Sequence, residues 1–508
     1  MANANLYALL EAAFARAGNH PAFVERSGAT TSYRDLAGNI ERYAGALVAA
    51  GVAPGDRVMV QAEKSLSSVY LYLATLKVGA VYNPLNTAYT AAELEYFVSD
   101  AEPRLFVAPS SVIGRVRATD AGKAIPVAET LEADGTGSIV DRAKAATPSK
   151  ATVDRQKTDL AALLYTSGTT GRSKGAMITH ENLSSNAITL TEYWGFDGKD
   201  VLLHALPIFH VHGLFVALHT ALLNGATMLW HPKFDLDAVL ADLPKATVMM
   251  GVPTFYTRLL GTPKFTRDSV PKMRLVISGS APLLAETHVE FEQRTGLKIL
   301  ERYGMTEAGM ITSNPYHGGE RLAGTVGYAL PGISVRVRSP EGAELPDGEP
   351  GVLEVKGPNI FSGYWRNPEK TREDFRSDGY FITGDVATMS PDGRVTIVGR
   401  AKDLIISGGF NVYPKEIETE INLLPGVEES AVIGCPHPDF GEGVVAVVTA
   451  KAGEQAPTEA AIVAALSGRL AKFKLPKRVF VVGTLPRNAM GKVQKAELRK
   501  QYDTVFKS

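Results

Sequence analysis

Residues 165 to 175 read YTSGTTGRSKG, with three glycines, five Ser or Thr hydroxyls and two cations in eleven positions. A solvated linker uses the same letters, because Ser, Thr and Gly favour turns and resist regular structure. The flanks are unlike a linker's. Ala161 to Tyr165 (AALLY) and Gly175 to Thr179 (GAMIT) are apolar runs of strand length, and the second leads into THENL, the letters of a helix start. The loop is therefore expected to join ordered elements. A glycine-rich loop with hydroxyls and a lysine can wrap backbone N–H groups, Oγ donors and an ammonium around a polyphosphate. The spacing is not that of the P-loop, since Lys174 is followed by Gly175 where that pattern needs Ser or Thr. On these residues alone, phosphate binding and an ordinary polar loop both stay open.

The 508-residue chain is too long for one core and should divide into two or more domains. Lys+Arg and Asp+Glu nearly cancel, 53 against 54, so no long-range field points to nucleic acid or to an acidic membrane. A small substrate is expected instead. The single cysteine, Cys435, has no internal disulfide partner, and within the apolar run AVIGCP it reads as a buried, inert thiol in a reducing compartment. The opening NLYALLEAAFARAG is a periodic helix carrying Glu11 and Arg16, neither a cleavable signal nor a span, and no apolar run reaches spanning length. The expectation is a soluble cytoplasmic protein with no membrane partner.

Strand-like and helical stretches alternate over roughly the first 330 residues, as in RVMVQ, SSVYLYLATLKVG and VYNPL, which predicts α/β layers. Beyond Gly332 the runs SVRVRS, GVLEVKG and RVTIVG, separated by PDG and SDG turns, predict a small antiparallel β unit. GRAKDLIISGGFNVYPKEIE is glycine-rich and charged, a boundary. After it the pattern helix, strand, strand, helix, strand, helix predicts a compact α+β domain. The expected division is a large multi-layer α/β domain over 1–400, a hinge at 401–402 and a small mobile α+β domain over 403–508.

Four more stretches share the logic of the first. SGSAPL (Ser278 to Leu283) follows MRLVI and ERYGMTE (Glu301 to Glu307) follows LKIL, so both are expected as loops at strand ends, where open α/β sheets bind ligands. GYFITGD sets Asp385 just after a short apolar strand, suited to ribose hydroxyls, and PRNAMGK presents Lys492 after a glycine. Each alone reads more readily as a turn, a cap or a solvated lysine.

The ordered set TSGTTGRSKG, YGMTE, TGD, GRAKD and PRNAMGK, spread from near Tyr33 to Lys492, resembles the acyl-adenylate-forming family of acyl-CoA synthetases, peptide-synthetase adenylation domains and luciferases. LPIFHVHG, VPTFYTRLL and the arginine of ERYGMTE are most similar to malonyl-CoA synthetases. The resemblance implies ATP, Mg²⁺ and coenzyme A as reaction partners. It implies that Thr166, Ser167, Gly168, Thr169, Thr170, Gly171 and Lys174 close over the β and γ phosphates, and that Ser280, Ala281 and Pro282 line the adenine. Tyr303 would stack on the base, Thr306 would contact the α-phosphate, and Glu301, Gly304 and Met305 belong to the same nucleotide segment. Asp385 and Arg400 would hold the ribose, and Glu307 would ligate Mg²⁺ as a hard oxygen donor. Lys492 matches the lysine that bridges acyl carboxylate and α-phosphate. Lys402 matches the hinge, and Ser407, Gly408 and Gly409 the pantetheine tunnel. An exposed nucleophilic Lys492 is also a candidate for a lysine acyltransferase, since neutralising its charge removes the interaction.

Arg258 and Arg302 speak to the acid. Two guanidinium groups beside the acyl pocket would pair with a second carboxylate, which planar arginine suits better than lysine. His210 and Ser280 could add hydrogen bonds, with Val211 and Met310 on the wall. A short dicarboxylic acid such as malonate is expected. Val211 and Ile311 depart from the Thr and Asn that malonate-specific relatives often carry there, and this more apolar wall suits methylmalonate or another substituted malonate. The basic run AKFKLPKR (Ala471 to Arg478) reads either as a contact for CoA phosphates or as a solvated face. A carrier-dependent adenylation domain, a luciferase-like oxygenase and a non-catalytic nucleotide-binding protein are the rivals; binding alone does not need the catalytic lysine.

Overall fold

The computed structural model describes residues 3–166, 173–407, 410–467, 469–488 and 491–506. The chain divides into two compact units, one of Met1–Ala323, Gly327–Ser334 and Lys356–Phe381, the other of Gly324–Val326, Val335–Val355 and Ile382–Ser508.

In the larger unit, among the described residues, two sheets carry the cores. The six-stranded sheet runs in the order Val127–Thr130, Leu105–Ala108, Arg57–Val60, Val81–Pro84, Leu160–Thr166, Lys174–Thr179. It is parallel up to its last pair, where Leu160–Thr166 and Lys174–Thr179 form an antiparallel hairpin with Thr166 opposite Lys174. The expected strands on both sides of the glycine-rich loop are thus present. The helix start expected at THENL is the N-cap Thr179, whose side chain accepts from Asn182 N while Asn182 Oδ1 accepts from Thr179 N.

The nine-stranded sheet has a parallel centre, Leu300–Met305, Leu275–Ser278, Val248–Gly251, Val201–His204, Thr227–Trp230 and Pro21–Glu25, with antiparallel strands at both edges. LVIS, VMMG and TMLW are buried along their whole length, as parallel strands covered on both faces must be. Leu203, Met249, Val276, Tyr256, Leu259 and Phe291 form part of the core on one face. The carboxyl ends of the central strands are therefore left for ligand chemistry.

In the smaller unit the expected order of the last domain is met: helix Pro414–Asn422, strands Val427–His437 and Gly441–Ala450, helix Glu459–Ser467, strand Arg478–Val482, helix Lys495–Gln501. Short strands Ile405–Ser407 and Phe410–Val412 extend the sheet. Cys435 is buried, and burial pushes its thiol up to about 11, so the inert reading holds. The β unit expected beyond Gly332 is a four-stranded sheet of Ser334–Arg338, Gly351–Lys356, Phe381–Met389 and Val395–Arg400.

Two local expectations are corrected. ERYGMTE is not a loop from its first residue: Leu300–Met305 continues as strand, because Arg302 to Met305 pair antiparallel with Gly309–Ser313 and only the next three residues turn. Asp385 does not follow a strand but lies inside Phe381–Met389, which pairs with Val395–Arg400 across it.

Candidate functional site

The hairpin Leu300–Met305 and Gly309–Ser313 presents Thr306 and Glu307 at its turn. Gly304 is required there, since a Cβ would lie 2.2 Å from the Gly309 carbonyl oxygen. Two asparagines knit this hairpin to the rest of the unit, and a third, Asn182, holds the segment that carries one of them. Asn186 holds Met310 at both ends, its Nδ2 donating to Met310 O at 2.9 Å and its Oδ1 accepting from Met310 N at 3.0 Å. Asn359 Nδ2 donates to Ala308 O at 2.6 Å, and Asn182 Nδ2 donates to the carbonyls of Pro358 and Ile360. Asn182 and Asn186 are one helical turn apart and so face the same way.

Glu307 is buried, with Oε1 accepting from the Tyr364 hydroxyl at 3.3 Å and its backbone carbonyl from Phe361 N at 2.8 Å. Burial first, then the Glu307 charge, raises the Tyr364 phenol, so it acts as a neutral donor. Lys174 Nζ lies 5.4 Å from the centre of the same ring. The structure therefore brings Lys174 and Glu307 to one tyrosine that sequence reading did not single out. A buried carboxylate oxygen on a turn is a fitting donor for a hard divalent cation whose other ligands come from phosphate and water. Among the described residues no group of three or more His, Cys, Asp or Glu could hold a metal.

A second cluster stands at the ends of the adjoining strands. Arg302 is 3% exposed, and its Nε and Nη2 have no hydrogen-bond partner. Gly279 makes its placement feasible, since a Cβ there would meet Arg302 Cζ at 2.4 Å. Burial pushes the guanidinium down to about 9, which still leaves it cationic at neutral pH. His212 is buried beside it. Burial, then the Arg302 charge, hold that imidazole well below its ordinary range, so it is neutral. Its Nδ1 lies 3.2 Å from Ser280 Oγ, while Nε2 has no partner. Ser280 has φ 72°, a left-handed conformation uncommon for a residue with a side chain. The backbone turns there in a way that keeps the hydroxyl on His212.

The remaining candidates fall as follows. Val211 is buried and Phe209 lies against the half-buried His210, with ring centres 4.9 Å apart. Ala281 is half-buried and Pro282 exposed. Tyr303 is half-buried with its hydroxyl 3.9 Å from Met305 Sδ, and Glu301 is buried with Oε1 3.5 Å from His288 Nδ1. Arg258, expected beside the acyl pocket, is exposed. Its helix Pro253–Leu260 buries Tyr256, Leu259 and Leu260, and position 258 projects to the exposed side, its guanidinium 4.8 Å from the centre of the Phe234 ring. Ser167, Gly168, Thr169, Thr170, Gly171, Gly408 and Gly409 lie outside the described residues.

In the smaller unit Asp385 and Arg400 face each other in register, Arg400 Nε standing 2.7 Å from Asp385 Oδ1. Lys402 is in the 3₁₀ turn Ala401–Asp403, and burial of its amine lowers its pKa. Ser407 is buried on its strand. Lys492 is exposed; its backbone N donates to Asn488 Oδ1 at 3.0 Å and its carbonyl accepts from Asn488 N at 2.9 Å. The basic run from Ala471 is largely engaged within the unit: Lys474 with Glu416, Arg478 with Glu459, Lys477 over the Phe440 ring.

Sequence reading passed over His212, Tyr364 and Asn186. His212 stands in the same FHVH run as His210, and nothing in the letters says which of two histidines two residues apart turns inward. Among the described residues no helix is long and apolar enough to cross a membrane.

The structure is similar to the crystal structure of ATP-bound MatB from Rhodopseudomonas palustris, with 54% sequence identity and a TM-score of 0.95 over 99% of this chain and 100% of that one. Among curated relatives, feruloyl-CoA synthase of Amycolatopsis sp is 36% identical over 494 residues, 96% of this chain and 97% of the relative. Malonate–CoA ligase of Arabidopsis thaliana is 35% identical over 490 residues, 89% and 79% of the two chains. The models for the AMP-binding enzyme and for the AMP-binding enzyme C-terminal domain match residues 10–365 and 416–492. The chain belongs to the AMP-binding enzyme family and is an acyl-adenylate-forming acid–CoA ligase.

Proposed function

We propose that the acid is a short dicarboxylate, malonate first, activated with ATP as malonyl-AMP and passed to CoA. The observation that carries this reading is Arg302, a buried cation whose Nε and Nη2 lack partners, beside neutral His212 and Ser280. A buried charge left unpaired costs on the order of 3 to 5 kcal/mol, and a second carboxylate would remove that cost through paired N–H···O bonds. An uncharged acyl tail would not. Val211 and Ile311, both buried and apolar, favour methylmalonate as a second reading of the same pocket.

In the first half-reaction a carboxylate oxygen of the acid forms a bond to the α-phosphorus of ATP as the bond to the β-phosphate oxygen breaks and pyrophosphate leaves. Lys174 would supply positive charge to the β and γ phosphates, and Lys492 would bridge the acyl carboxylate and the α-phosphate. Glu307 would hold Mg²⁺, which when bound neutralises phosphate charge. Thr306 would orient the α-phosphate, and Asp385 with Arg400 the ribose. In the second half-reaction the CoA sulfur, losing its proton, attacks the acyl carbon and AMP departs. We assign that step to a rotation about Lys402 that brings Ser407 and its loop to the pantetheine, and regard acylation of Lys492 by a lysine acyltransferase as an off switch for the first step.

The test is AMP release with ATP, Mg²⁺ and CoA across mono- and dicarboxylic acids. Malonate or methylmalonate should exceed acetate, butyrate, benzoate and ferulate in kcat/KM. Equal values for malonate and butyrate would refute the reading.

A further inference from the structure

The helix Ala91–Ala101 starts at Thr90 in a capping box with Glu93 and buries Leu94, Phe97, Val98 and Ala101 against the six-stranded sheet's core. Its partly exposed residues Tyr96 and Asp100 are four apart and so stand one above the other. The Tyr96 hydroxyl donates to the Ser173 carbonyl at 2.7 Å, and Asp100 Oδ2 accepts from the Tyr165 hydroxyl at 2.6 Å. Tyr165 lies on the first arm of the hairpin, before the glycine-rich loop, and Ser173 immediately precedes the second. Trp365 closes the frame: its Nε1 donates to Asp100 O at 3.0 Å and its backbone N to Gly175 O at 2.8 Å. Behind this base lies a cavity of about 260 Å³ lined by Tyr96, Asp100, Ser173, Lys174 and Trp365. Tyr165 also packs on Phe97 and Tyr96, with ring centres 4.5 and 6.2 Å away, so the two hydrogen bonds add direction to a contact that packing already makes.

We propose that Tyr96 and Asp100 are positioning residues for ATP: one turn of one helix grips both ends of the phosphate loop and sets where Lys174 points. The proposal rests on the reading of that loop as a phosphate site. It confines their effect to the half-reaction that uses the β and γ phosphates, because the acyl-adenylate no longer carries them.

The test measures both half-reactions on full-length variants. Tyr96→Phe and Asp100→Ala should each raise KM for ATP in acid-dependent pyrophosphate release by about 3- to 10-fold, the loss expected for one hydrogen bond. Thioester formation from supplied acyl-adenylate should stay within about twofold of the parent. Asp100→Asn, which keeps an acceptor for Tyr165, should restore most of the affinity. An unchanged KM for ATP, or an equal fall in both half-reactions, overturns the proposal in favour of a structural role. Lys174→Ala separates the two ideas. If it raises KM for ATP while Tyr96→Phe does not, only the grip fails; if it leaves KM unchanged, the phosphate reading fails and takes the grip with it.

Discussion

The Tyr364 hydroxyl reaches Oε1 of Glu307 across 3.3 Å, while the Lys174 ammonium lies 5.4 Å from the centre of the same ring. One aromatic side chain thus borders the two charges proposed to handle the triphosphate. Glu307→Gln should lower pyrophosphate release by about 10²-fold or more, as removing a charge-stabilising group does. Tyr364→Phe leaves the carboxylate in place and should cost less than about tenfold, seen as a raised Mg²⁺ requirement. Equal losses in both variants, measured by Mg²⁺ titration, would contradict the assignment.

For Arg302 the expected loss is larger and selective. Arg302→Ala should reduce kcat/KM for malonate by about 10² to 10³ and leave butyrate within a few-fold, collapsing the ratio of the two acids. Arg258→Ala, at an exposed guanidinium, should move that ratio by less than about threefold. Steady-state kinetics on both acids decide it.

Lys492 lies exposed beside Asn488 on its loop. Lys492→Ala should abolish most acyl-adenylate formation while consumption of supplied acyl-adenylate by CoA persists. If both rates fall together in single-turnover assays, the lysine serves both steps. Protein acetylated stoichiometrically at Lys492 should behave as the alanine variant does.

Stability should fall on mild acidification. His180 and His219 are held by burial at about 4 and about 3, against 6.5 when unperturbed. Below pH 6.5 the unfolded chain takes up protons that the fold refuses, so unfolding becomes easier by about 1.4 kcal/mol per pH unit for each histidine. The loss ends where each folded pKa is passed. Urea denaturation at pH 7 and pH 5.5 should show it, and a flat stability across that window would contradict it.

Much of this was legible from the letters because local signals and burial agreed. The strands AALLY and GAMIT, the cap at Thr179 and the order of the last six elements follow from periodicity and turn chemistry that the fold does not override. ERYGMTE was harder, because its glutamate and glycine are poor strand letters. It is the partner strand Gly309–Ser313, not propensity, that keeps Arg302 to Met305 extended. Arg302 itself was visible as a misplaced charge. That it would lie buried with unpaired nitrogens, and that Arg258 would turn out over Phe234, depends on packing between segments far apart in sequence.

That separation also governs how the chain can be made. Phe23 pairs with Met228 in the nine-stranded sheet, so a strand made early finds its parallel partner only some two hundred residues later. At about 5 to 20 residues per second, the Pro21–Glu25 strand would wait roughly 10 to 40 s with its hydrogen-bonding edge uncovered. Holdase protection of the nascent Pro21–Glu25 strand, or slower expression at low temperature, should therefore affect the yield of folded enzyme more than any change near the reactive groups.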